Sequence, residues 1–218
     1  MLFDKVDWQQ IGQAVLDTLA MLGGSLFFTV LFGLPLGTLL FLTSKNQLLE
    51  QRFAYSTLSF LLNILRSIPF IILLILLMPL TTLLMGVSLG VRGVIPPLVI
   101  GTTAFFARLV ETALREVDRG ATDASVARGA SIPQIVFRAL LPEALPGIIA
   151  AITITAVVLV DYTAMSGAIG GGGIGDLAIR YGYQRFQTEI MIITVLLLIV
   201  LVQILQASGN RLVAHFTH

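Results

Sequence analysis

Cysteine is absent from the 218 residues, which removes disulfides, thiolate metal sites and cysteine nucleophiles together and says nothing of redox compartment. Charge is scarce: 11% of residues are Asp, Glu, Lys or Arg, against about 25% in soluble domains. The formal charge of +1 supplies no basic surface for phosphates, so no nucleic-acid partner is expected. His215 and His218 stand alone near the C-terminus, where a solvated tail rather than a metal site is expected. No G-x-x-x-x-G-K-[ST] occurs, so the chain lacks a nucleotide-phosphate cradle of its own. The N-terminus has no basic stretch, its apolar run is too long for a signal peptide, and no small-residue cleavage site follows; the first span is expected to be retained. Nothing repeats at a fixed period.

What remains is oil: 56% of the residues are hydrophobic and the mean hydropathy is +0.96. About 20 apolar residues cross the roughly 30 Å of hydrocarbon as a helix, because every backbone polar group must be paired within the segment. Five stretches qualify, at about Asp17–Leu42, Tyr55–Met85, Val94–Leu114, Pro146–Gly167 and Glu189–Ser208. The expected fold is all-α, a polytopic membrane protein of five transmembrane helices in a single domain, 1–218. In the first span Gly33 and Gly37 form a small-xxx-small pair and Pro35 is expected to kink the helix; Pro69 and Pro79 are expected to break the second. Placing 43–53 and 115–145 inside puts Lys45, Arg52, Arg115, Arg119, Arg128, Arg138 and Arg211 there, against Lys5, Arg92, Arg180 and Arg185 outside. The positive-inside rule then sets the N-terminus outside and the C-terminus in the cytoplasm.

The stretch 116–145 interrupts the oil with small residues, scattered charge and proline. As a helix, "ATDASVARGAS" has only Val126 as a sizeable apolar group, so it does not bury itself in lipid, but Ala121, Ala124, Ser125 and Ala127 let another surface come close. Gly129 is a natural stop. Ser131 then starts a second helix, with Pro133 in its first turn and Gln134 as capping-box partner, and Pro142 is expected to end it. The result is a short cytoplasmic helix-turn-helix joined rigidly to the third and fourth spans; the competing reading is a plain polar loop.

The order of residues resembles the EAA motif of the membrane subunits of bacterial ABC importers: E-A-A, three residues, Gly, a nine-residue gap, an apolar residue, any residue, Leu-Pro. Asp123, Ala124, Ser125, Gly129, Leu141 and Pro142 take those places, with Asp for Glu, Ser for the second Ala, and Ala139 for the usual Ile as departures. Three longer blocks, "NILRSIPFIILLILLMPLT", "LPEALPG" and "YTAMSGAIGGGGIGDLAIRYGYQRF", resemble the methionine-import permeases. The resemblance implies a five-helix permease in the bacterial inner membrane that pairs as a homodimer and takes methionine, or related amino acids, by alternating access. It implies two separate ATP-binding subunits that hold ATP and Mg, an extracytoplasmic substrate-binding protein, and no catalysis or cofactor in this chain. Asp123, Ala124, Ser125, Arg128, Gly129, Pro133 and Pro142 would couple to the ATPase. Five helices, several broken by proline, without an internal repeat agree with a symmetric partner chain.

Asp161, Tyr162, Met165 and Ser166 are the candidate pathway and gate. An aspartate at a helix centre opposes insertion by about 2.5–3.5 kcal/mol, and such residues face the bundle interior or a wet cavity. Asp161 either faces the pathway, where it would help bind the ammonium group, or lies near the interface or pairs with an arginine such as Arg66. Met165 lies four residues on, on the same helical face; it is either ordinary packing or, by resemblance, a soft plug between the paired subunits. Arg66 either snorkels to headgroups or bonds carbonyls freed at Pro69. Gly170, Gly172 and Gly175 have G-x-G-x-x-G spacing but no preceding strand, so a flexible, close-packed external turn is expected rather than a dinucleotide site. "RYGYQRF" either anchors in the outer interface or touches the binding protein. A secondary transporter would show inverted repeats and several intramembrane charges, and a membrane enzyme convergent acids or histidines; neither pattern is present. Within the importer class, another amino acid or small organic solute is the alternative cargo.

Overall fold

The computed structural model describes residues 7–217, apart from the side chains of Arg119 and Ala121. Lys5 and His218 lie outside the described residues. Helix α1 (Trp8–Thr43) begins earlier than the apolar run, because the Asp7 carboxylate accepts from the backbone N–H groups of Gln9 and Gln10 at 3.0 and 3.2 Å. It continues through Pro35 without interruption, so this proline does not break its helix as Pro69 breaks the second span. The second crossing is three pieces, α2 (Arg52–Ser67), α3 (Phe70–Leu76) and α4 (Met78–Met85). α2 and α3 meet at 101°, because Pro69 cannot return a hydrogen bond to α2 and restrains Ile68 to an extended backbone.

α5 (Gly90–Arg115) packs parallel to α1. Thr29 and Thr102 share a buried 2.7 Å hydrogen bond between them, and a Cβ at Gly37 would stand 2.5 Å from the Ala107 carbonyl oxygen. The small-xxx-small face therefore brings two backbones together, which is how apolar helices associate when lipid is as apolar as their side chains. α9 (Leu145–Gly167) returns antiparallel, with Gly147 against Ala113, and α11 (Thr188–Phe216) runs antiparallel to α9, placing Gly209 on Thr153. Among the described residues four helices are long and apolar enough to cross a membrane, or five with the bent pair counted as one. Because α5 runs parallel to α1, the pieces between them carry the chain back and count as that fifth span. The start of α1, the 167–188 turn and the start of α5 share one end of the bundle; the 43–52 turn, the 115–145 segment and the end of α11 share the other. α11 buries only Ile190, Thr194 and Gly209 and otherwise presents an apolar surface to its surroundings.

Candidate functional site

At the end that holds 115–145, α6 (Arg119–Ala127) is capped by the Asp118 carboxylate, which accepts from Gly120 N–H at 3.0 Å. Gly129 stops it at φ +73°, in the left-handed region that glycine enters without penalty. Gln134 then reaches back to the Ser131 N–H at 2.9 Å, forming the anticipated capping box at the start of α7 (Ile132–Ile135). The helix does not end at Pro142. It widens into a π-helical turn over Val136–Leu140 and continues as α8 (Leu141–Glu143) before turning at Ala144 into α9. Pro142 has no N–H, and the extra residue in the preceding turn accommodates its ring. Asp123, Ala124, Arg128, Gly129, Pro133 and Pro142 are all exposed, while Ser125 is turned inward within 3.4 Å of an Arg128 guanidinium nitrogen. A cavity of about 400 Å³ lies under α6, bounded by Asp123, Val126, Phe41, Gln47 and Leu140. The protrusion is thus a small, polar, outward surface on a base that includes Ile135, Val136 and Leu140, which are buried in the same apolar cluster as α5 and α9 side chains.

The four pathway candidates do not converge. Asp161 and Met165 stand exposed on one stripe of α9 with Ile154, and Asp161 makes no hydrogen bond or ion pair to any described residue. The pairing with Arg66 is not formed. Tyr162 turns aside to stack on Phe70, ring centres 4.1 Å apart and 7° from parallel. Ser166 is buried and donates to the Thr163 carbonyl at 2.7 Å.

At the opposite end the glycine run is a close-packed turn. Gly170, Gly172 and Gly173 all have φ near +80°, and the N–H of Ile174 donates to Thr18 Oγ1 of α1 at 2.8 Å. A Cβ at Gly173 would stand 2.6 Å from that oxygen. The turn leads into α10 (Gly173–Leu177), where buried Asp176 pairs with Arg180. Tyr181 accepts from Gln10 Nε2 at 2.8 Å and carries Arg185 over its ring at 4.5 Å. Tyr183 and Phe186 project outward, 70% and 86% exposed.

The sequence reading passed over a polar network between α2 and α5. Glu111, 5% exposed, accepts from Arg108 at 2.8 Å and Arg115 at 2.6 Å and from the Tyr55 hydroxyl at 3.2 Å. Arg108 also donates to the Ser59 carbonyl at 3.1 Å, the Ser59 hydroxyl and Asn63 Oδ1 at 3.0 Å. Two signals in the sequence point to it: Arg108, Glu111 and Arg115 share a helical face within an apolar span, and Ser59, Asn63 and Arg66 form a matching stripe on α2. Among the described residues no cluster of acids or histidines could hold a metal ion.

Comparison with known proteins locates this architecture. Residues 33–217 match the model of the binding-protein-dependent transport system inner membrane component family. A probable D-methionine transport system permease protein of Pasteurella multocida is 43% identical, covering 97% of each chain. The methionine import system permease protein of Bacillus subtilis is also 43% identical, over 95% of this chain and 94% of that one. A chain from a crystal form of the MetNI methionine ABC transporter in inward-facing conformations superposes with a TM-score of 0.95 at 44% identity, over 97% of this chain and 98% of that one.

Proposed function

The chain belongs to the binding-protein-dependent transport system inner membrane components, and on that premise we propose that it is the membrane-spanning permease of an ATP-driven importer of methionine. The observation that carries the reading is α6, which offers Asp123, Ala124 and Arg128 to the outside while its base runs into α5 on one side and α9 on the other. A helix so placed couples a partner's movement to the bundle as a lever does. The relatives' names support methionine as cargo.

Two ATP-binding subunits, which hold ATP and Mg, move the protrusions of a permease homodimer; this chain has no phosphate cradle and performs no catalysis itself. Asp123, Ala124, Ser125, Arg128, Gly129, Pro133 and Pro142 form the coupling surface. Displacement passes along α5 and α9 and alternates access to a pathway lined by Asp161 and Met165, with Tyr162 and Ser166 on the inner faces of the same helix. An extracytoplasmic binding protein delivers solute at the end bearing Tyr183 and Phe186. Asp161 in contact with lipid would cost about 2.5–3.5 kcal/mol, so its exposed face supports a cover of partner chain or aqueous pathway rather than hydrocarbon. The N-terminus lies outside and the C-terminus in the cytoplasm, as the Lys and Arg distribution favours.

The test is uptake of radiolabelled methionine by proteoliposomes that hold the permease, its ATPase and the binding protein. Uptake that requires ATP is expected; accumulation driven by an ion gradient alone refutes the reading. Because the chain has no cysteine, single substitutions report sidedness directly. D123C should resist a membrane-impermeant maleimide in spheroplasts and F186C should react; the reverse pattern overturns the orientation.

A further inference from the structure

Arg66 occupies an unusual depth. At 1.5 Å per residue, Phe105 lies about 15 Å along α5 from Arg115; taking the Arg115 end of the span as the edge of the hydrocarbon, that is half-way through a core of about 30 Å. The Arg66 guanidinium sits at that level, 5.9 Å from the centre of the Phe105 ring, with no hydrogen bond or ion pair to any described residue. It neither reaches headgroups nor ties down the carbonyls at the Pro69 break. A cation so deep faces water or a ligand rather than lipid.

Two concavities meet at Arg66. One is a cavity of about 150 Å³ at the break, with Phe70, Leu73, Phe105 and Tyr162 among its walls, Gly101 in its lining and Arg66 at its rim. The other is a polar groove of about 640 Å³ between α2 and α5 that runs past Asn63 and Ser59 to Arg115. Glu111 is the one carboxylate among the groove's lining residues, and it is closed by Arg108 and Arg115. Three arginines against one carboxylate leave the groove positive, and of the three Arg66 is the one that makes no hydrogen bond or ion pair to any described residue.

We infer that this junction is a solute subsite within the permease, taking the carboxylate of an α-amino acid on Arg66 and its unbranched thioether chain in the aromatic cavity. The inference rests on the methionine reading and adds to it a site inside this chain. A guanidinium presents paired donors that match a carboxylate. A thioether sulfur is favoured against ring edges, which Phe70, Phe105 and Tyr162 supply around the cavity of about 150 Å³. Lipid phosphate has the same attraction for a guanidinium, but it lies at the bilayer surface, about 15 Å away. The amino group, with no free carboxylate among the lining residues, projects into the groove, which also gives the solute a wet route towards the Arg115 end.

The experiment is equilibrium dialysis of radiolabelled L-methionine against the permease–ATPase complex in nanodiscs without binding protein, with isolated ATPase subunits as the blank. Saturable binding above the blank is expected, weakened about 10- to 100-fold by R66Q through loss of a charge-assisted contact and largely restored by R66K. The KM for uptake should rise in parallel. G101A keeps the charge but places a Cβ 3.2 Å from Leu73 and 3.6 Å from Phe70, so it should weaken methionine several-fold relative to alanine. Thermal scans of each variant separate misfolding from lost binding. R66Q with unchanged binding and KM, or binding carried wholly by the ATPase, overturns the subsite. A wild-type complex that transports another solute but not methionine overturns the cargo reading instead.

Discussion

Replacing Glu111 with glutamine keeps the side chain's volume and its contact with Tyr55 but removes the charge that two arginines share. Arg108 is 17% exposed at its side chain and bonds Glu111 at 2.8 Å; a hydrogen bond of that charged kind is worth about 1.5–3 kcal/mol. Arg115 is 43% exposed, and its share is screened to about 1 kcal/mol or less. The sum, about 3 kcal/mol, sits at the low end of the roughly 3–5 kcal/mol lost when one partner of a buried pair is removed. For chains of this length about 1 kcal/mol moves the midpoint by about 2–4 °C, so E111Q should melt about 6–12 °C below the parent, followed as loss of the monodisperse peak in fluorescence-detected size exclusion. The companion variant R108M/E111L replaces the pair by apolar groups. It should recover much of the loss, because the cost lies in the stranded charge rather than in the missing contact. A shift for E111Q below about 2 °C, or a double variant less stable than E111Q, would refute the assignment of this network as a stabilising fastener between α2 and α5.

G37A should lower stability by about 1–3 kcal/mol through overpacking, since its Cβ would lie 2.5 Å from a carbonyl oxygen and 2.6 Å from Val110. G23A, with nothing within 4 Å, should instead gain up to about 1 kcal/mol from helix propensity; equal effects in thermal scans would sink the α1–α5 packing argument. M165A should make the resting complex conduct ions in a liposome flux assay, and an ion-tight complex counts against Met165 as a plug. D161N should alter methionine uptake measured across a range of pH; unchanged uptake throughout removes Asp161 from the pathway.

Much of this protein was legible in its sequence because a membrane is a simple solvent. Apolar runs long enough to satisfy their own backbone hydrogen bonds are helices that span, so the five crossings, the Pro69 break and the all-α class follow from hydropathy and proline alone. The Gly129 stop and the Ser131–Gln134 capping box are local chemistry, decided within a few residues, and they appear where the sequence places them. Pro142 did not act as its local chemistry suggests. A wider helical turn carries the chain past it, an adjustment not encoded in the residue itself. Which arginine meets which carboxylate depends on two helices from distant parts of the chain. The closure of Glu111, the isolation of Arg66 beside Phe105, and the divergence of Tyr162 from Asp161 on neighbouring positions of one helix were therefore settled only when α2, α5 and α9 packed together.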